Sequence, residues 1–247
     1  MKVVSLNTWK CEHKYTQRLK LMSEQLALVK PDILFLQEVF SNGHEFNTAR
    51  YIANRLNMHF RYLGGRKKHR RLDNASTLSE SGLAILSHYL PDMEGCLSLP
   101  SVPEDGDRWA QWVRITVDNS QIILINTHLS HLEHRDDLRT LQVEAILDVS
   151  NKLPAHDVLI LGGDMNAELE EGAMEFLSSA NWCSHWKGQL SSNTLNIGSE
   201  KSIDHLFIAP FSKAHWTSNR VCLELADSDG LYPSDHKAVS AVLKLTP

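Results

Sequence analysis

Apolar residues recur in short runs rich in β-branched and aromatic side chains, at residues 2–7, 33–39, 82–87, 112–117, 122–127, 158–161, 203–209 and 238–243. Runs of this length and content predict strands. Two segments between them carry a helical period instead: Leu19, Met22, Leu26 and Val29 in one, and Leu138, Leu141, Ala145, Ile146 and Val149 in the other. Lys30 suits the end of the first helix, and Pro31-Asp32 stops it and leads into ILFLQEV. Strands and helices alternate in part, but residues 118–121 between two runs predict a hairpin, so the expected sheet is mixed. Residues 64–81 and 186–201 are polar, rich in turn formers and without period, which predicts two long loops. No repeat or low-complexity linker divides the chain, and a single domain over 1–247 is expected.

One stretch, VLILGGDMNAEL at 158–169, stops an apolar run at two glycines and sets a carboxylate, Asp164, two positions from a carboxamide, Asn166. Glycines there predict a sharp turn at the strand end. Taken alone, the stretch reads as an ordinary strand-to-turn junction, since Asp, Asn and Gly are the common turn residues. The same arrangement recurs at other strand ends, however. Asn7 closes the first run, Glu38 lies late in ILFLQEV, His128 follows IILINT, Asp204 opens DHLFIA, and Asp235-His236 precede the last run. Unrelated turns account poorly for so many polar termini. If the strands belong to facing sheets, their ends can line one cleft.

Composition bounds what such a cleft serves. The 247 residues, 42% hydrophobic and 22% charged, match a soluble globular protein with a sizeable core, and the net charge of -5 excludes whole-molecule attraction to polyanions. A local excess of cations persists in RYLGGRKKHRR at 61–71, and Arg108 adds another beside Trp109. Arg66, Lys67, Lys68, Arg70, Arg71 and Arg108 are candidate substrate contacts for a polyanion; the alternative is a solvated surface loop. The four cysteines are scattered and read as reduced thiols. The start MKVVSLNTWK lacks the apolar segment of a signal peptide, and no run is long enough to span a bilayer, so a cytoplasmic location is expected.

The motifs LNTW, LQEV, SGLAILS, NTHL, GGDMN, IDHLFIA and SDHKAV occur in this order over nearly the whole chain. In them the sequence resembles the endonuclease/exonuclease/phosphatase family, the metal-dependent phosphoesterases that include DNase I, abasic-site endonucleases, neutral sphingomyelinases and inositol-phosphate phosphatases. The resemblance implies an α/β four-layer sandwich of two packed mixed β-sheets flanked by helices, an active site at one end, and a divalent metal, Mg2+ or Mn2+. Asn7 and Glu38 offer the hard oxygens that magnesium prefers, and the resemblance adds Asp235 to the metal site. A carboxylate among the apolar residues of ILFLQEV demands a partner, and an arginine is the alternative to a metal.

The resemblance places His236 beside Asp204 and makes His236 the general base for water, with Asp164 as the competing base. Asn166 positions the nucleophile or donates to a phosphoryl oxygen. His128 in NTHL matches the histidine that protonates the leaving group in the DNase I and sphingomyelinase branches, where abasic-site enzymes carry tyrosine. Glu80 is placed to orient His128, or is a solvated loop residue. Zinc is rejected for His128, His131 and His134, because the first belongs to a strand end and no cysteine accompanies them. The expected activity is magnesium-dependent hydrolysis of a phosphodiester by in-line attack of water, with a nuclease-like substrate. A sphingomyelinase-like phosphodiesterase or small-molecule phosphatase is the alternative enzyme, and an inactive member that binds nucleic acid or protein is the alternative of another class.

Overall fold

The computed structural model describes residues 1–43, 45–72 and 75–246, and two β-sheets packed face to face form its centre. The first sheet runs β12 (Ala214–Cys222), β13 (Ala238–Leu245), β1 (Lys2–Asn7), β2 (Ile33–Ser41), β5 (Ala75–Ser87) and β3 (His59–Leu63), with β4 (Lys68–Leu72) paired to the outer half of β5. The second runs β10 (Cys183–Ser184), β11 (Asp204–Ile208), β9 (Val158–Asp164), β8 (Ser120–His128), β7 (Arg108–Val117) and β6 (Met93–Leu99). Parallel β1–β2 and β8–β9 pairs among antiparallel neighbours make both sheets mixed. Helices α1 (Tyr15–Val29) and α2 (Thr48–Leu56) cover the first sheet, and α3 (Asp136–Ser150) and α4 (Gly172–Ser179) cover the second.

Three apolar cores fill the spaces between these four layers. Val4, Leu34 and Leu36 meet Leu19, Met22 and Leu26 of α1; Val3, Ile33 and Phe35 meet Leu124, Ile160 and Leu206 between the sheets; Ile123 and Leu159 meet Val143 and Ile146 of α3. Successive side chains of one strand thus serve different cores, which explains why the central strands read as unbroken apolar runs. The expected hairpin is present: Val117 pairs with Ser120, and Asp118 and Asn119 both have positive φ, as a tight two-residue turn requires.

Several expectations need correction. Of residues 64–81, expected to form a loop, 73 and 74 lie outside the described residues, while much of the rest forms β4 and the outer part of β5. In KHRRL the alternating positions are occupied by cations with long aliphatic stems, so a hydrophobic pattern is silent there. Gly162 and Gly163 do not turn the chain at its end but lie inside β9. A Cβ on Gly162 would meet the ring of Phe35 at 2.5 Å, and one on Gly163, whose φ is +149°, would meet the Thr127 carbonyl oxygen at 2.0 Å. These glycines admit close approach of neighbouring layers and strands. Leu141 is exposed, because Arg139 and Gln142 occupy the buried face of α3; Gln142 accepts from Ser130 N and donates to the Pro100 carbonyl. Strands β3, β6 and β12 and helices α2 and α4 were not foreseen; both helices are short, of nine and eight residues, and offer only about two turns on which a period can show.

Strand β2 carries one extra residue against β5: Leu36 pairs with Ala84 but Val39 pairs with Gly82. The bulge puts Glu38 at φ +52° and frees the carbonyls of Leu36 and Ala84. Asn126, fully buried on β8 of the other sheet, donates to both at 2.9 Å and accepts from Gln37 Nε2 at 2.7 Å. One amide therefore satisfies the bulge and ties the sheets together. Asn126→Leu keeps the volume but strands two carbonyls and Gln37, so urea denaturation should show a loss of about 3 kcal/mol. Unchanged stability would show that the bulge is satisfied some other way.

Candidate active site

Strand direction gathers the polar termini. Asn7 ends β1, Glu38 lies in the bulge near the end of the parallel β2, and His128 and Asp164 end the parallel pair β8 and β9. Strands β11 and β13 run the other way and begin at the same end, so Asp204 pairs directly with Asp164 and His236 precedes β13. The result is a cleft of about 520 Å³ whose lining includes Asn7, Glu38, His128, Asp164, Asn166, Asp235 and His236. Of the cations foreseen from the sequence, Arg66, Lys68, Arg70 and Arg108 line it, while Lys67 and Arg71 do not.

Asp164 Oδ2 is the focus. Asn7 Nδ2 donates to it at 2.9 Å, His128 Nε2 lies at 3.4 Å and His236 Nε2 at 3.8 Å. Its other oxygen accepts from Asn166 N at 3.0 Å, and Asn166, at φ +49°, is held further by donation from Nδ2 to the Leu129 carbonyl. Behind His236, Asp204 is fully buried and bonds its Oδ2 to Nδ1 at 2.9 Å. Burial and then the Asp204 charge push Asp164 up to about 7 against the pull of His236. Burial opposes the charge on His236, but Asp204 and Asp164 outweigh it and raise the imidazole to about 10. Burial, then Arg108 and Lys10, hold His128 well below its ordinary value, so it is neutral.

Asn7 Oδ1 accepts from Trp9 N at 3.0 Å, and Glu38 pairs with Lys10 Nζ at 2.8 Å. The partner demanded by Glu38 is thus a lysine of the β1–α1 loop, which no sequence pattern announced. Burial raises Asp235, His236 opposes the rise, and the Glu38 charge adds to it. Asp164, Asp204 and His236 also bring one potential ligand atom each within 4.8 Å of one another, although the Nδ1 bond to Asp204 already occupies one pair. Glu80 lies on β5 opposite Ser41, 3.9 Å from Lys67 Nζ and against Gly64; it does not line the cleft.

Two further residues fix the loops that carry the site. Arg18 of α1 is fully buried and donates to five carbonyls, those of Glu12, Thr8, Pro233, Trp9 and Lys10, with its guanidinium 4.8 Å from the Trp9 ring centroid. Burial is the main cause lowering its pKa. Its place beside Leu19 and Met22 on the apolar face was the available signal. Asn196 Nδ2 lies within hydrogen-bonding distance of the Leu223, Ser234 and His236 carbonyls, so the expected loop 186–201 braces the last motif.

The walls differ in charge. Lys10, Arg66, Lys68 and Arg70 stand along one side, and after burial the three neighbouring cations lower the Lys68 pKa. Across from them, Arg108 pairs with the buried Asp105 through Nε at 3.0 Å and Nη2 at 2.5 Å, and His131 Nδ1 lies 2.8 Å from the same carboxylate. Glu104 and Asp107 are exposed beside them.

The fold is shared with many solved structures. The catalytic domain of human nocturnin with bound sulfate superposes with a TM-score of 0.81 at 21% identity, over 100% of this chain and 93% of that one. A mannosyl-6-phosphatase from Bacteroides thetaiotaomicron gives 0.75 at 19%, over 99% and 100%. A humanized D. rerio TDP2 gives 0.74 at 18%, over 99% and 98%. No curated protein matches the sequence itself. Among the described residues, no helix is long and apolar enough to cross a membrane. Residues 4–236 match the model of the Endonuclease/Exonuclease/phosphatase family, and the chain belongs to that family of hydrolases acting on phosphoester bonds.

Proposed function

We propose that this chain is a magnesium-dependent phosphodiesterase with a nuclease-like substrate, in which water attacks phosphorus in line with the departing oxygen. The observation that carries the reading is the buried carboxylate Asp164, poised near neutrality among Asn7, His128 and His236 at the foot of a cationic wall. A base must be partly unprotonated at the working pH and able to hold a proton. Asp164 meets that requirement, whereas His236 is held as an imidazolium by its two carboxylates. Asp164 therefore takes the proton of water, Asn166 fixes that water, and His236 donates to a phosphoryl oxygen. Asp204 orients the His236 ring and supports its charge.

His128 is neutral in the free protein. A phosphate entering the cleft supplies the anion that raises its pKa, which restricts its service as acid for the leaving oxygen to the substrate complex. Glu80 pairs with Lys67 outside the cleft, and no orienting role toward His128 is assigned to it.

The donor set fits a hard divalent cation. Glu38 and Asp235 are close enough to repel, Glu38 is paired with Lys10, and Asn7 Oδ1 retains a lone pair. Bound there, Mg2+ or Mn2+ would polarise the phosphoryl group and stabilise the leaving oxygen. A small phosphoester is the second reading, favoured by Glu104 and Asp107, which offset part of the cationic wall; one neighbour in fold is named a mannosyl-6-phosphatase.

Hydrolysis of DNA, RNA, a phospholipid and small phosphoesters, with Mg2+ and with excess chelator, tests the reading. Chelator should abolish turnover, and Glu38→Ala should lower kcat/KM by about 100-fold or more. The partly exposed Lys10 pair contributes little to folding, so the thermal transition of the variant should stay near that of the parent. Full turnover in chelator would refute the proposal, as would the lack of any turnover in metal that an inactive binding module shows.

Ring 15N shifts of the metal-free protein should show His236 protonated beyond pH 8 and His128 neutral at pH 6.5. Asp204→Asn removes a raising charge and must shift the His236 titration downward. In kcat, Asp204→Asn and His236→Ala should combine to less than the product of their separate losses, as expected for one unit. Multiplicative losses would separate the two residues.

For a nucleic acid, removing Arg66, Lys68 or Arg70 leaves one backbone phosphate without its cation, and each removal should flatten the logarithmic salt dependence of binding by about 0.7 to 0.9. An unchanged slope in the triple alanine variant removes this wall from recognition.

A further inference from the structure

One buried carboxylate organises the segment that carries His128. Asp105 lies in the turn that leads into β7, where Asp105 N and Gly106 N donate to the Val102 carbonyl. Its side chain is fully buried and grips Arg108, the first residue of β7, by two prongs: Nε to Oδ2 at 3.0 Å and Nη2 to Oδ1 at 2.5 Å. Arg108 Nη1 in turn donates to the main-chain carbonyl of His128 at 3.4 Å. Farther along the same segment, His131 Nδ1 lies 2.8 Å from Asp105 Oδ1 and 2.6 Å from Arg108 Nη2. Burial opposes the charge on Asp105, but Arg108, then Ser130 and His131, outweigh it and hold the carboxyl below its ordinary value. Residues 128, 130 and 131 therefore turn on an anion that belongs to another element. The other flank of the segment is tied to the site itself, since Leu129 N donates to the Asp164 carbonyl and the Leu129 carbonyl accepts from Asn166 Nδ2.

We infer that Asp105 is a positioning residue for His128: acting through Arg108, it holds the imidazole where the leaving oxygen departs, and its carboxylate matters most for substrates whose leaving group needs a proton. The inference rests on the acid role given to His128 above. Geometry is the first reason. An acid must stand within hydrogen-bond reach of the departing oxygen, and a shift of about 1 Å caused from outside the chemistry can cost on the order of 100-fold. Charge is the second. After burial, the Arg108 cation is the largest influence against a proton on His128, and Asp105, in contact with that cation, supplies the compensating negative charge. An amide at position 105 would loosen the grip and leave Arg108 uncompensated, and both changes disfavour proton delivery. The attacking side is spared, because the bonds to the Asp164 carboxylate come from Asn7 and Asn166.

The test compares the p-nitrophenyl and phenyl esters of thymidine 5′-phosphate in Mg2+. Phenoxide is the stronger base and needs a proton as it leaves, whereas p-nitrophenoxide departs without one. His128→Ala should lower kcat/KM about 100-fold for the phenyl ester and less than about 10-fold for the p-nitrophenyl ester. Asp105→Asn should lower the phenyl ester about 10-fold or more and the p-nitrophenyl ester less than about 3-fold. Joined to His128→Ala, it should add almost nothing, since the two act as one unit. Arg108→Lys, which keeps the cation but not the two-pronged grip, should repeat the selective loss and carries the comparison if Asp105→Asn has no thermal transition. A purely structural pair lowers both esters alike, and that result overturns the inference, as does unchanged turnover of both esters in Asp105→Asn. Equal losses in His128→Ala instead refute the acid role of His128, and no turnover of either ester by the parent refutes the phosphodiesterase reading.

Discussion

Everything at this site depends on holding ionisable groups out of water at the seam of two sheets. The bond from Asn7 in one sheet to Asp164 in the other fixes that seam, and Asp164 is almost fully buried. In water its carboxyl would ionise well below neutrality and do little as a base. Burial beside Asp204 lifts it, and the same burial makes the Asp204 charge effective on His236. Acid and base characters are thus inverted relative to the free amino acids. The carboxyl becomes the group that accepts a proton near neutral pH, and the imidazole becomes the standing cation.

Such an arrangement requires rigid surroundings, because a relaxed site would admit water and restore ordinary values. Rigidity comes from saturated backbone groups. Arg18 ties the loop after β1 to Pro233, just ahead of Asp235 and His236, and does so with carbonyl oxygens alone. Asn126 does the same service at the Glu38 bulge. Asn196 closes the third side around Ser234 and His236. In each case one polar side chain supplies hydrogen bonds to several backbone carbonyls, groups that are costly to bury unpaired.

The sequence reported the parts of this design that follow a period. Apolar runs marked the central strands, and polar residues at their ends marked Asn7, Glu38, His128, Asp164, Asp204 and Asp235, which the parallel pairs and their antiparallel neighbours do bring to one end. What escaped was set by tertiary contact. The cationic stretch KHRRL reads as loop because its strand character lies in aliphatic stems and in pairing with residues 75–79. Gly162 and Gly163 read as a turn because only the neighbouring layers show why a Cβ is excluded. Lys10 and Glu38 are far apart in sequence, so their meeting is invisible until β1 and β2 lie side by side.

The order of strands across the first sheet has a consequence for the newly made chain. Strand β13 lies between β1 and β12, so β1 lacks this neighbour until residues 238–245 have left the ribosome. The second sheet, by contrast, is built wholly from residues 93–208 and has its pairing partners early. Synthesis from the amino terminus therefore assembles Asp164, Asp204 and His128 before His236 can join them. The growing chain carries Glu38, Asp164 and Asp204 but neither Asp235 nor the standing cation beside it, and the site is chemically incomplete on the ribosome until β13 closes the sheet.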